Sequence, residues 1–122
     1  MSGTLIIAET TNGELAPISL ELIAAARQLA DAGAGPVSAF IAGDRSHAQT
    51  LIQHGADTVY VDGNEELKSG LAEAYVPAVE AALEDSGATI VLIGQTSFGR
   101  DLGPALAFAL KTAVAMDCVA LA

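Results

Sequence analysis

The sequence predicts an α/β domain, a three-layer sandwich in which helices cover both faces of a parallel sheet. Two observations carry that prediction. Four short apolar runs recur along the 122 residues, and each is followed by a segment whose apolar residues repeat at helical spacing. A run that is apolar at consecutive positions, rather than alternate ones, is what a strand buried on both faces requires. Strands alternating with helices over short loops join into parallel pairs through right-handed crossovers, which lay helices on both faces.

Thr4-Leu5-Ile6-Ile7-Ala8 is the first strand. The loop from Glu9 to Glu14 carries Asn12-Gly13 as its turn signal and reads as an ordinary surface turn. Ile18, Leu22, Ile23, Ala26, Leu29 and Ala30 then form one face of a first helix, which Gly33 and Gly35 close and Pro36 ends. Val37-Ser38-Ala39-Phe40-Ile41 is the second strand, ended by Gly43-Asp44. A short second helix follows, with Ser46 as its predicted cap, a stripe of Ala48, Leu51 and Ile52, and Gly55 as its stop. Thr58-Val59-Tyr60-Val61 is the third strand, and the polar stretch from Asp62 to Ser69 is a loop. Leu71, Ala72, Tyr75, Val79 and Leu83 line a third helix, and Pro77 within that pattern predicts that the regular helix begins near Val76. Thr89-Ile90-Val91-Leu92-Ile93 is the fourth strand. After the loop Gly94 to Gly99, Leu102, Ala105, Leu106, Ala109 and Leu110 face inward on a fourth helix, with Asp101 as predicted cap and Pro104 in the first turn. Cys118-Val119-Ala120-Leu121 predicts the opening of a fifth strand, where the sequence stops.

Composition narrows the function classes. Hydrophobic residues make up 52% and charged residues 16%, which excludes a disordered tail and provides for one real core. Five Lys and Arg against 15 Asp and Glu give a net charge of −10, the opposite of the basic face that nucleic acid or an anionic membrane surface requires. The single cysteine, Cys118, forms no internal disulfide and fits a reducing compartment. Met1-Ser2-Gly3-Thr4 has neither the basic start nor the apolar run of a secretion signal, and no stretch reaches the roughly 18 apolar residues that span a bilayer. A cytoplasmic location without membrane insertion is the expectation.

In folds of this class ligands sit beyond the carboxyl ends of the strands. The hydroxyl- and glycine-rich loop Thr10-Thr11-Asn12-Gly13 follows the first strand, but Glu9 and Glu14 flank it and repel a phosphate. The richer loop is Gly94-Gln95-Thr96-Ser97-Phe98-Gly99-Arg100-Asp101, with glycines for close approach, hydroxyl donors, and Arg100 near a helix N-terminus. It matches neither a P-loop nor the Gly-x-Gly-x-x-Gly fingerprint, so it reads as a structural or interface element before a ligand cradle. His47 and His54 lie seven residues apart, on one helical face, without further metal ligands nearby; His54 suits a helix C-terminus, and no metal is expected. Cys118 has no histidine partner and reads as a buried, inert thiol. Tyr60, Tyr75, Phe40, Phe98 and Phe108 form no stacking stripe, and no nucleophile–base set stands out, so no catalytic residues are assigned.

The segment Thr96-Ser97-Phe98-Gly99-Arg100-Asp101-Leu102-Gly103-Pro104, followed by Met116-Asp117-Cys118-Val119, resembles the N-terminal domain of the electron-transfer flavoprotein alpha subunit. Ile7-Ala8-Glu9, Gly13-Glu14-Leu15, Ser19-Leu20-Glu21-Leu22, Ala42-Gly43-Asp44 and Gly55-Ala56-Asp57 agree with it, so the resemblance spans essentially the whole chain. One departure is Ala105, where many family members carry an arginine after the proline.

The resemblance implies a fold like the adenine-nucleotide alpha-hydrolase or universal-stress group, and from it the strand order is taken. It implies an electron carrier, not an enzyme: residues 1–122 as the N-terminal scaffold of a subunit that pairs with an electron-transfer flavoprotein beta subunit. Electrons come from flavin dehydrogenases and pass to an acceptor, and FAD is held mainly by a C-terminal domain absent from this chain. No cofactor-binding residue is therefore expected here, and Thr96, Gly99, Arg100 and Asp101 carry over as a structural or interface element. In the family the compartment is the bacterial cytoplasm or the mitochondrial matrix; without a targeting signal, the cytoplasm is expected. A stand-alone universal-stress-like nucleotide-binding module is the alternative, although Gly94 is followed by Gln95-Thr96-Ser97 and lacks that group's second glycine. A phosphotransfer receiver is a third reading, which Glu9 and Asp62 fit only in part.

Overall fold

The structure, a computed structural model, describes residues 3–11, 13–43, 45–63, 67, 72–94, 96–110 and 115–116. In chain order its elements are β1 (Thr4–Ile7), β2 (Thr10–Thr11), β3 (Glu14–Leu15), α1 (Pro17–Leu29), β4 (Val37–Ala42), α2 (Ala48–Gln53), β5 (Thr58–Asp62), α3 (Ala72–Ser86), β6 (Ile90–Ile93), α4 (Ser97–Leu110) and β7 (Ala115–Met116). The main sheet is parallel with order β5-β4-β1-β6-β7, and β2 and β3 form a separate antiparallel hairpin. Thr4 pairs with Val37 on one side of β1 and with Ile90 on the other, so β1 is the central strand.

Centrality explains the unbroken apolar run of β1. Ile6 and Ala8 point to one face, where they meet Leu22, Ile23 and Ala26 of α1 and Leu51 of α2. Leu5 and Ile7 point to the other, against Val79 and Ala82 of α3 and Leu102 and Leu106 of α4. The connections through α1 and α2 step outward from β1 in one direction. The chain then returns past β1 to β6, and right-handed crossovers consequently place α3 and α4 on the opposite face. The order of helices in sequence thus fixes the three layers.

The predicted α/β sandwich and its four strands are present, with boundaries shifted by a residue or so; β1, β4 and β6 are largely buried and β5 is a half-exposed edge strand. α1 continues into a π turn at Ala30–Ala34 and closes where expected, with Gly33 at φ 98° and Gly35 at φ 99°, left-handed conformations that favour glycine. Several other local expectations are corrected. Ser46 lies in a 3₁₀ turn, Arg45–His47, and His47 occupies the cap position of α2. α3 begins at Ala72, so Pro77 sits inside it, on the exposed face that Glu73 shares. The last strand is formed by Ala115–Met116; Asp117, Cys118 and the residues after them lie outside the described residues. Phe40, Tyr75 and Phe98, spread across three elements, meet edge to face at centroid separations of 6.0 and 4.6 Å, a cluster that linear spacing does not reveal.

One buried polar group in the core is unmatched. Thr4 is 1% exposed, and its hydroxyl has no hydrogen-bond partner among the described residues. Thr4→Val replaces that hydroxyl with a methyl of the same shape. It is expected to stabilise the domain by about 1 kcal/mol in urea denaturation, with an unchanged slope.

Candidate functional site

The strand order reverses at β1: the chain moves outward through β4 and β5, then crosses back to β6. The crevice between the carboxyl ends of β1 and β6 is where this class of sheet places ligands. Glu9 arrives there directly after β1, and Thr96 arrives just after β6.

The backbone of Glu9 is fixed from α1. Ser19 is fully buried; its hydroxyl accepts the Glu9 N–H at 2.8 Å and donates to the Glu9 carbonyl at 3.0 Å. The same carbonyl accepts the Ala16 N–H at 2.8 Å. The side chain is fixed from β6: the Thr96 hydroxyl lies 2.9 Å from both carboxylate oxygens, its one proton shared between them. That hydroxyl also accepts the Gly99 N–H at 3.0 Å, while the Arg100 N–H donates to the Thr96 carbonyl at 2.8 Å. Thr96 is therefore the cap of α4, which corrects the expectation for Asp101. The helix begins at Ser97, Asp101 is exposed in its second turn, and Pro104 falls beyond the first turn.

Two glycines let these parts approach. A Cβ on Gly99 would collide with the Gly94 carbonyl oxygen and lie 2.9 Å from Ile93 Cγ2, so only glycine brings the start of α4 down onto the end of β6. A Cβ on Gly94 would lie 2.6 Å from Ile18 Cγ1 and 3.3 Å from Glu9 Oε2. The space above Gly94 is already filled by this chain's own side chains.

Glu9 is half-buried, and loss of water pushes its carboxyl above its ordinary range, with the Thr96 hydrogen bond pulling weakly the other way. Tyr75 of α3 faces it. Burial raises the Tyr75 hydroxyl first, and the negative charge of Glu9 raises it further. On the edge strand, Tyr60 is raised by burial and then by its hydrogen bond and proximity to Asp85.

Of the predicted motif, Thr96 and Gly99 meet at the crevice, while Arg100 and Asp101 are exposed on α4. His47 Nε2 lies 3.0 Å from the Gly13 carbonyl and steadies the β2–β3 hairpin, and His54 is at the C-terminus of α2. Among the described residues no group of three His, Cys, Asp or Glu is placed to hold a metal ion, and no helix is long and apolar enough to cross a membrane. The residues that sequence reasoning missed are Glu9 as a crevice group and Ser19 as its anchor. Ser19 carried a signal, since it falls on the same helical stripe as Leu22, Ile23 and Ala26.

Comparison with known proteins identifies the family. The electron transfer flavoprotein domain matches residues 4–122. The chain belongs to the electron transfer flavoprotein family. It is 38% identical over 121 residues to an electron transfer flavoprotein subunit alpha of Megasphaera elsdenii, covering 98% of this chain and 36% of that protein. It is 36% identical to a subunit alpha of Thermoanaerobacterium thermosaccharolyticum and 33% identical to Protein FixB of Clostridium saccharobutylicum, covering 95% and 98% of this chain and 36% of each. The chain thus spans about a third of the length of the curated relatives it matches. Its fold is similar to that of a universal stress protein in complex with cAMP, with a TM-score of 0.55, 19% identity, and coverage of 94% and 95% of the two chains.

Electron transfer flavoproteins are carriers that bind flavin, and the crevice residues do not fit the diphosphate of such a cofactor. Glu9 sets a carboxylate at the carboxyl ends of β1 and β6, and Ile18 packs over Gly94.

Two variants test this geometry. Thr96→Val removes both the cap and the Glu9 hydrogen bond and is expected to cost about 1–2 kcal/mol in chemical denaturation, whereas Thr96→Ser keeps most of it. For Glu9 the sign follows from its raised pKa: the protonated form is favoured on folding, so stability is fully present below the ordinary value of 4.5 and is lost as pH rises through the folded pKa. Glu9→Gln should therefore melt higher than the parent at neutral pH, with the difference closing below that ordinary value.

Proposed function

We propose that this chain is the N-terminal domain of an electron transfer flavoprotein alpha subunit and serves as its rigid scaffold and docking module. The observation that carries this reading is the family match along residues 4–122, in relatives about three times as long. On this reading FAD is held mainly by a domain C-terminal to this one, and the crevice stabilised by Glu9 and Thr96 supports that division. A beta subunit completes a heterodimer, flavin dehydrogenases supply electrons, and a separate acceptor takes them away in the cytoplasm. The domain itself has no catalytic site. Thr96 and Gly99 set the start of α4, and the exposed Arg100 and Asp101 on that helix form an interface element.

A second reading, a stand-alone nucleotide-binding module, is favoured by the likeness to a universal stress protein in complex with cAMP. It is weakened by Glu9, whose carboxylate occupies the crevice that such a ligand would enter.

The isolated 122-residue chain, mixed with FAD and passed through a desalting column, is expected to emerge colourless. The same experiment on the subunit extended to the length of its relatives should retain flavin absorbance. A yellow, stoichiometric complex of the short chain would overturn the scaffold reading.

A further inference from the structure

We propose that Glu9 is the residue that closes the ligand position of this fold. Its carboxylate, hydrogen-bonded to Thr96 at the β1–β6 switch, keeps phosphate esters of adenosine, FAD included, out of this domain. The inference rests on the reading of the chain as a scaffold domain without its own cofactor, and deepens it by naming the residue responsible.

A phosphate at a strand-order switch needs free donors and a favourable potential. Here both are taken. The Gly99 N–H points to the Thr96 hydroxyl, and the Thr96 proton points to Glu9. The carboxylate cannot easily swing clear, because Ser19 and Ala16 hold the Glu9 backbone and Ile18 packs over Gly94 beside it. Any incoming phosphate therefore meets a fixed like charge in a half-desolvated place, where repulsion is weakly screened.

The test is equilibrium dialysis of the 122-residue chain against ADP at fixed ionic strength. The proteins are wild type, Glu9→Gln, Glu9→Ser and Glu14→Gln, each checked for a cooperative melt. Glu9→Gln keeps an oxygen acceptor for Thr96, and Glu9→Ser clears the space; Glu14→Gln changes net charge equally from the exposed hairpin. Both Glu9 variants are expected to bind ADP at least about tenfold more tightly than wild type, and Glu14→Gln no more than about twofold. Folded Glu9 variants that bind no better than wild type overturn the inference alone and leave the scaffold reading standing. An equal gain in Glu14→Gln assigns the exclusion to net charge and overturns it too. Tight ADP binding by wild type overturns both.

Discussion

A single hydroxyl joins the two halves of this domain. Thr96 Oγ1 accepts the Gly99 N–H and donates to the carboxylate of Glu9, and so ties the start of α4 to the end of β1. The first helical turn depends on it, since it supplies the acceptor that the chain lacks at that end. The crevice depends on it as well, because without that donor the half-buried carboxylate would face its desolvation alone. Glycine at 99 is the steric condition for the arrangement: α4 reaches this depth only because no Cβ stands between it and the Gly94 carbonyl.

The rim is held in place by a core of unusual evenness. Successive residues of β1 go alternately to the α1–α2 layer and to the α3–α4 layer, and none is exposed. A strand buried on both faces offers no slack to the residue that follows it, so Glu9 inherits the rigidity of β1. Ser19 adds to this from the buried face of α1, where a hydroxyl among apolar side chains is tolerated because both of its hydrogen bonds go to one backbone unit. The unmatched hydroxyl of Thr4, at the opposite end of the same strand, shows what that arrangement avoids.

Much of this was legible in the sequence. Consecutive apolar residues at 4–8, 37–41 and 89–93 read as strands because only two-sided burial explains them, and the structure places strands there. The helices were legible from their stripes, but their ends were not. Pro77 and Pro104 mark helix starts in a local reading, whereas tertiary packing by Val79, Leu102 and Leu106 goes with helices that begin earlier and run through them. The motif at 96–101 stood out by composition, yet its partner did not. Glu9 lies 87 residues from Thr96, and nothing in local spacing says that they touch. Ser19 was the readable clue, a polar residue on an apolar stripe, and its meaning required knowing which backbone it would meet.

The electrostatics of Glu9 separate it from the other acids of this strongly acidic chain. Most carboxylates here keep their water, so their charge costs little and serves solubility. Glu9 does not keep its water fully, and the charged form is disfavoured on folding. A neutral amide could accept the same hydrogen bond from Thr96 without that penalty, so structure alone gives no reason for an acid at this position. What the acid adds over the amide is negative charge at the carboxyl ends of β1 and β6, where the strand order reverses. The cost in stability and the negative charge set beside Thr96 are then two consequences of the same half-buried carboxylate.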